Sequence, residues 1–127
     1  KRTKFLAKIK HDKNFFLIGS NGKLSSIKHE DKSNYLPFIF GKPKIDQFLK
    51  FKQKIDDSKF NYKDINNLFF LSSNRWDIQL KNDLLIKLPS KNIKKTLDLV
   101  SDFLLENDNN IIKIVDARIQ NQIILDD

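Results

Sequence analysis

The chain has 127 residues, of which 39% are hydrophobic, and its 24 basic and 16 acidic residues give a net charge of +8. This length predicts one domain spanning residues 1–127, and the apolar content is high enough for a packed core, which excludes a disordered chain. The absence of cysteine excludes disulfides, thiol nucleophiles and thiolate metal ligands, and no apolar run reaches the ~18 residues of a membrane span.

The basic residues concentrate in the first half of the chain. Residues 1–60 carry 15 basic and 6 acidic side chains, whereas residues 61–127 carry 9 and 10. A basic half can serve nucleic acid, an anionic membrane face or an acidic partner, and it can equally reflect solubility and the codon bias of an AT-rich genome. The lysines stand singly among apolar residues, as on the solvated faces of strands and helices, rather than in the dense run typical of nucleic-acid binding.

The first elements are predicted to be strands. Residues Phe5–Ile9 form one strand, and Asn14–Ile27 has the pattern of a hairpin. The pair Asn21-Gly22 at its centre predicts a type I′ turn, which needs a positive φ at both residues. A short apolar strand over Pro37–Phe40 follows, ended by glycine and proline.

A helix is predicted from Pro43 to about Asp57, with proline in the first turn, where its missing N–H costs nothing. Its apolar residues fall on one face, which indicates packing against a core: Ile45, Phe48, Leu49 and Ile55. Phenylalanines alternate with lysines over Phe48–Phe60, a pattern that also suits stacking on nucleic-acid bases, but the helical spacing explains Phe48 as core. A strand over Ile65–Leu71 comes next.

The clearest strand pair lies between Trp76 and Leu88, because apolar and polar residues alternate on both arms of a turn at Asn82-Asp83. This alternation favours core packing of Trp76 over a role as a binding anchor. Ser90 is the predicted N-cap of a second helix that runs to about Glu106. The apolar face of that helix comprises Ile93, Leu97, Val100, Phe103 and Leu104.

Two apolar strands, Ile112–Ile119 and Ile123–Leu125, close the sequence. The predicted fold class is therefore α+β, a mainly antiparallel β-sheet with two helices packed on one face. A terminal strand commonly lies at a sheet edge, where its unpaired backbone groups can accept a strand from a partner. The alternative is a short, frayed strand, or one protected by Asp126-Asp127.

The residue types needed for catalysis are few and poorly placed. His11 and His29 lie in lysine-rich, turn-like stretches and are predicted to be surface residues, too few for a histidine metal site. The carboxylate pairs Asp56-Asp57 and Asp126-Asp127 end a helix and the chain, where nothing raises a pKa for acid–base chemistry. Three glycines cannot build a phosphate-binding loop. We predict no enzyme activity, no metal and no cofactor.

Several segments, in this order, resemble the bacterial cell-division family FtsQ/DivIB. The similarity covers nearly the whole chain and is strongest over residues 73–119. Within this range, Ser73–Asn82 and Leu84–Pro89 have an Arg-Trp strand, an asparagine turn and a strand ending in Leu-Pro before a helix. Ile114–Arg118 is similar to the Val-Asp-(Leu)-Arg signature before the last strand of the family. Upstream, Phe15–Leu24 resembles the hairpin that opens its extracytoplasmic C-terminal β domain, and Leu36–Gly41 its Leu-Pro-(apolar)-Gly segment.

The resemblance implies a single-pass inner-membrane protein whose transmembrane span and POTRA domain precede this chain. The lack of methionine, even at position 1, also predicts that this chain is a piece of a longer protein. Such a protein acts at the periplasmic face of the membrane, at the division septum. It has no catalysis or cofactor, and it binds the C-terminal segments of FtsB and FtsL to regulate septal peptidoglycan synthesis.

In the family, FtsB adds a strand beside the last strand of the domain. Carried over by position, the partner-binding residues are Arg118, Ile119, Asn121, Gln122, Ile123, Ile124 and Leu125. This chain has large aliphatic residues where better-known members have small residues and an aromatic. Arg75 and Trp76 also match the family pattern, and we interpret both as structural. The alternative function is a basic α+β module that binds nucleic acid or another acidic partner.

Overall fold

The computed structural model describes residues 4–27, 35–106, 112–119 and 123–126. A short 3₁₀ turn at Tyr62–Asp64 precedes the fifth strand. The described residues form nine strands and two α-helices in this order: β1 (Phe5–His11), β2 (Asn14–Gly19), β3 (Leu24–Ser26), β4 (Phe38–Phe40), α1 (Ile45–Asp57), β5 (Ile65–Phe70), β6 (Trp76–Leu80), β7 (Leu85–Lys87), α2 (Ile93–Glu106), β8 (Ile114–Asp116) and β9 (Ile124–Asp126).

All nine strands lie in one sheet, in the order β3-β2-β1-β4-β5-β6-β7-β8-β9. Neighbouring strands are antiparallel except at three places, where β4 is parallel to both β1 and β5, and where β7 is parallel to β8. Helix α1 connects β4 to β5 and helix α2 connects β7 to β8, and each of these pairs consists of adjacent parallel strands. The predicted α+β class, a mainly antiparallel sheet with two helices, is confirmed.

The core lies between the two helices and one face of the sheet. Most buried strand positions are those that alternation assigns to this face, among them Ala7, Ile9, Ile18, Ile39, Leu68, Ile78, Ile86 and Val115, whereas Leu17 and Asp77 are buried on the opposite face. Phe48, Phe51 and Ile55 of α1 and Leu97 and Val100 of α2 pack against them. Trp76 is 4% exposed and belongs to the same core, as its alternating strand predicted. The opposite face of the sheet, here called the open face, carries neither of these helices.

Both helices begin later than the sequence predicted. α1 begins at Ile45, so Pro43 precedes the cap instead of lying in the first turn, and the Lys44 N–H donates to Oε1 of Gln47 at 2.8 Å. α2 begins at Ile93, and Ser90 is not its N-cap. Its first turn is closed by the Thr96 N–H, which donates to the carbonyl of Asn92 at 3.0 Å.

The turn at Asn21-Gly22 is not the predicted type I′ turn. Only Gly22 has a positive φ, of 80°, and its N–H donates to the carbonyl of Gly19 at 2.9 Å. This is the three-residue hairpin loop, in which a glycine with positive φ follows a tight turn. The double positive φ of a type I′ turn occurs instead at Asp12 and Lys13, with values of 49° and 72°, between β1 and β2.

Candidate functional site

The C-terminal end of the sheet is built by β7, β8 and β9. After α2, the chain enters β8 parallel to β7, with Ile86 opposite Val115, and then returns antiparallel in β9, with Val115 opposite Leu125. In the part of the chain that the structure describes, no strand lies beyond β9. β9 is therefore an edge strand.

The backbone of β8 shows which of its residues face β7. The Leu85 N–H donates to the carbonyl of Lys113, and the Ala117 N–H donates to the carbonyl of Lys87, both at 2.9 Å. Successive residues of a strand direct their backbone groups to alternate sides. Val115, two residues from Lys113 and from Ala117, therefore also faces β7.

The same alternation decides the direction of every backbone group in β9. Ile114 and Asp116 face β9 and lie opposite Asp126 and Ile124, so these are the hydrogen-bonded pairs. Leu125 lies between Ile124 and Asp126, opposite Val115, whose backbone groups face β7. Its N–H and C=O therefore point away from the sheet, in the direction from which a further strand would approach.

The side chains around this edge are apolar and exposed. Ile119, Ile124 and Leu125 are 52%, 46% and 46% exposed, and Ile123 is partly buried against the core. Large exposed aliphatic side chains beside outward-facing backbone groups provide both elements of strand addition, main-chain pairing and contacts for alternate side chains.

Arg118 is held by the strand that precedes it. Its Nε donates to Oδ1 of Asp116 at 2.8 Å and its Nη2 to Oδ2 at 2.6 Å, a two-pronged ion pair. This pair lowers the pKa of Asp116, chiefly through the side-chain hydrogen bond. The Arg118 N–H also donates to Oδ1 of Asp116, at 3.1 Å, instead of to a neighbouring strand. β8 therefore ends at Asp116, earlier than the predicted strand.

A row of charges on the open face leads from β6 to this edge, and the sequence did not predict it as a cluster. Asp77 is 8% exposed and lies opposite Lys87, which lies opposite Asp116. Burial raises the pKa of Asp77, although Arg75, Lys87 and Arg118 oppose the shift. Alternation places each of these residues on the open face, but only the strand register brings them together.

Arg75 has the structural role that we expected. Its Nη1 donates to the carbonyl of Leu88 at 2.8 Å and to Oδ1 of Asp77 at 3.3 Å, which ties the start of β6 to the end of β7.

Five of the residues carried over as partner-binding lie together at this end of the sheet: Arg118, Ile119, Ile123, Ile124 and Leu125. The other two, Asn121 and Gln122, lie outside the described residues. The outward direction of the Leu125 backbone was not predicted, because it depends on the pairing of β8 with β7.

The remaining candidate residues of the sequence analysis are the two histidines and the acidic side chains. His11 is exposed, as predicted, and His29 lies outside the described residues. Within the described ranges, acidic and histidine side chains do not gather into a group that could hold a metal ion. Neither helix is long and apolar enough to cross a membrane.

Comparison with known proteins agrees with this architecture. The C-terminal region of the cell-division protein FtsQ/DivIB, as a family, matches residues 7–118. No curated protein matches the sequence. In fold, the chain is similar to the major extracytoplasmic domain of the cell-division protein DivIB from Geobacillus stearothermophilus, with a TM-score of 0.56 and 12% identity over 85% of this chain and 96% of that one. The family match spans most of the sequence, and the chain therefore belongs to the FtsQ/DivIB family of bacterial cell-division proteins.

Proposed function

We propose that this chain is a non-enzymatic scaffold of the division machinery, which binds the C-terminal segments of FtsB and FtsL by strand addition at β9. The observation that carries the proposal is the outward-facing backbone of Leu125 on an edge strand lined by exposed aliphatic side chains. Family membership supports a role in cell division. Through these partners the domain would help to control septal peptidoglycan synthesis.

We also propose the context in which the domain works. Residues 1–127 form one FtsQ-type β domain of a longer protein, whose single membrane span and POTRA domain precede it. The domain then lies on the outer side of the inner membrane, at the septum. The similar fold of a DivIB domain described as extracytoplasmic supports this location.

The decisive experiment measures binding of a peptide from the C-terminal segment of the same organism's FtsB by calorimetry. The variant Leu125→Pro removes the outward N–H while the inward pairs at Ile124 and Asp126 stay available. We expect a loss of affinity of tenfold or more, because the lost hydrogen bond and the proline ring together cost about 1.4 kcal/mol or more. Leu125→Ala keeps the N–H and is expected to bind more tightly than the proline variant.

The other edge of the sheet offers a matched control. The Gly19 N–H donates to the carbonyl of Lys23, and the Ile27 N–H donates to the carbonyl of Phe15, so these residues face each other across β2 and β3. By alternation, the backbone N–H and C=O of Ser26 point away from the sheet, as those of Leu125 do at the other edge. Ser26→Pro should leave FtsB binding unchanged. Loss of binding in Ser26→Pro with retention in Leu125→Pro would move the proposed site to β3.

Ile124→Pro tests a different bond. The Ile124 N–H faces β8 and not the partner, so this substitution should disrupt the native pairing of β9 and weaken binding only indirectly. Circular dichroism and thermal unfolding distinguish the loss of a hydrogen bond to the partner from disruption of the native pairing between β8 and β9. Leu125→Pro should keep the unfolding temperature of the parent domain, whereas Ile124→Pro should lower it.

The basic first half of the chain favours a second candidate, binding of nucleic acid or another acidic partner. Ionic strength separates this candidate from strand addition. Affinity that depends on phosphate contacts falls steeply as salt rises, whereas main-chain pairing changes little. Failure of the FtsB and FtsL peptides to bind at any salt concentration, combined with salt-sensitive binding of DNA, would replace the first proposal with the second.

A further inference from the structure

Four phenylalanine rings form a continuous row on the open face, at the end of the sheet away from β9. Phe15 of β2 contacts Phe38 of β4 with 5.9 Å between ring centroids, and Phe38 contacts Phe40 at 4.8 Å. Phe40 stacks on Phe69 of β5 at 5.0 Å. We call these four residues the phenylalanine row. Phe15 and Phe40 are large exposed rings of this row, at 48% and 46%.

Strand β1 contributes lysines to the same row. Lys10 lies opposite Phe15 and Lys8 opposite both Leu17 and Phe38, so both lysines share the open face with the rings. The Nζ atom of Lys10 lies 5.8 Å from the centroid of the Phe15 ring, within the range of a cation–π contact. Aromatic and cationic side chains therefore alternate on the open face across β2, β1 and β4.

A groove of about 700 Å³ lies beside the phenylalanine row. Its lining includes Phe38, Phe40, the turn at Asp12-Lys13 and the loop at Gly41-Lys42. This volume falls in the range of cavities that enclose small ligands or a few side chains.

Cations dominate the rim of the groove. Lys10, Lys13 and Lys42 line it, and none of them forms an ion pair with a carboxylate within the described ranges. Asp12 is the acidic residue at the rim, and its Oδ2 lies 3.4 Å from Nε2 of His11. An apolar floor with a cationic rim is complementary to a ligand that is apolar along its centre and acidic at its sides.

We propose that the groove beside the phenylalanine row docks an acidic peptide segment of a partner protein, one in which carboxylates flank aromatic or aliphatic side chains. The site is independent of the edge at β9, because three strands, β6, β7 and β8, separate Phe69 from that edge. With strands about 4.8 Å apart, β5 and β9 lie roughly 19 Å from each other.

The ring geometry favours a peptide over single-stranded nucleic acid. Phe40 and Phe69 lie at an interplanar angle of 13°, so each ring covers one face of the other. A stacking platform for bases needs free ring faces. The other rings of the row are inclined to one another, by 61° between Phe15 and Phe38 and by 52° between Phe38 and Phe40, which suits the aliphatic and aromatic side chains of a peptide better than a series of stacked bases.

The shape of the groove favours a peptide over an anionic membrane. Membrane-bound surfaces present their apolar side chains outward, where they reach the acyl region. Here the rings line a groove together with Lys10, Lys13 and Lys42, instead of standing out from a convex surface.

The test uses the isotope-labelled domain and a short synthetic peptide in which glutamates alternate with phenylalanines, flanked by serines for solubility. Amide shifts on titration are followed by nuclear magnetic resonance. We expect saturable shifts at Lys10–Lys13 and Phe38–Lys42, with unchanged amides in β8. One control peptide replaces each glutamate with lysine, and another replaces each phenylalanine with serine. Neither control should bind.

Two variants locate the site. Phe40→Ser removes an exposed ring of the row, and Lys42→Glu reverses a charge at the rim. Each should lower affinity about fivefold or more, Phe40→Ser because apolar contact is lost and Lys42→Glu because the new carboxylate repels the carboxylates of the peptide. Two control variants change exposed residues of the helices. Leu105→Ser replaces an apolar side chain with serine on α2, and Lys50→Glu reverses a charge on α1, and both should leave affinity unchanged. Retained spectral dispersion shows that each variant is folded.

Three outcomes would overturn the proposal. Absence of saturable shifts in the groove at millimolar peptide would exclude peptide docking there. Equal binding of the lysine peptide would exclude the role of charge. Stronger, salt-sensitive shifts of the same amides with oligothymidylate or with phosphatidylglycerol vesicles would assign the groove to nucleic acid or to a membrane surface.

Discussion

The indole of Trp76 and the ring of Phe51 lie parallel, at an interplanar angle of 2° with 4.5 Å between their centroids. This stack joins β6, in the middle of the sheet, to the centre of α1. Phe48 and Phe70 complete the cluster, with centroids 6.4 and 4.9 Å from that of Trp76. Because two rings of α1 and one ring of β5 contact Trp76, this residue fixes the position of α1 on the sheet.

Loss of this stack should destabilise the domain strongly. Removing a buried aromatic side chain leaves a cavity and costs ~3–5 kcal/mol of unfolding free energy. We expect such losses for both Trp76→Ala and Phe51→Ala in urea unfolding. Leu105→Ala, at a site that is 81% exposed, should change stability by less than about 0.5 kcal/mol. A loss below about 1 kcal/mol in both core variants would contradict the packing described here.

Gly41 is a position where only glycine fits. Its φ is 104°, and a Cβ atom there would lie 2.3 Å from the carbonyl oxygen of Phe70. Gly41→Ala must therefore shift β4 relative to β5, and we expect a loss of about 2 kcal/mol or more in urea unfolding. Gly22 also has a positive φ, of 80°, but the nearest atom to its Cβ would be 3.5 Å away. Gly22→Ala should cost only about 1 kcal/mol. Equal costs at the two sites would argue against the close contact with Phe70.

The ion pair of Asp116 with Arg118 should make stability depend on pH in the acid range. Arg118 lowers the pKa of Asp116 below its ordinary value of 3.8. The stabilisation is therefore complete above that value and is lost as pH falls through the lower pKa of the folded state. Asp116→Asn should destabilise the domain near pH 7 and much less near pH 2. Urea unfolding at several pH values measures this difference.

Asp77 should show the opposite dependence and provides the matched control. Burial raises its pKa above 3.8, so the folded state takes up a proton at a higher pH than the unfolded chain. Its protonation therefore stabilises the fold on acidification. Asp77→Asn should remove this gain, so the unfolding free energy should fall more steeply with acidification than in the parent domain. In Asp116→Asn it should fall less steeply. The same slope in both variants would contradict the two pKa directions.

The local elements of this fold could be predicted from the sequence. Period-two alternation identified β6 and β7, and apolar spacing identified the buried faces of α1 and α2, because burial of one face imposes these patterns. Helix starts were less accurate. Pro43 and Ser90 are favourable residues for a helix start, but each helix begins where its first apolar side chain reaches the core, at Ile45 and Ile93.

The relations between elements could not be predicted in the same way. The parallel pairing of β4 with β1 and β5 joins segments far apart in sequence, and no local signal reports it. The phenylalanine row depends on this pairing, since it brings Phe15, Phe38 and Phe69 onto one face. The turn at Asp12-Lys13 was missed because neither residue is glycine, although both adopt positive φ.

Among the described residues, three residue pairs hold β9, all of them with β8. A strand bound on one side by so few pairs opens locally at little cost, so its amide hydrogens should exchange rapidly with solvent. A strand added beyond Leu125 would make β9 an internal strand. The amides of Ile124 and Asp126, which face β8, would then exchange more slowly although they make no hydrogen bond to the added strand. Slower exchange at these two inward-facing amides would therefore report that the last strand has become ordered, separately from any contact with the partner.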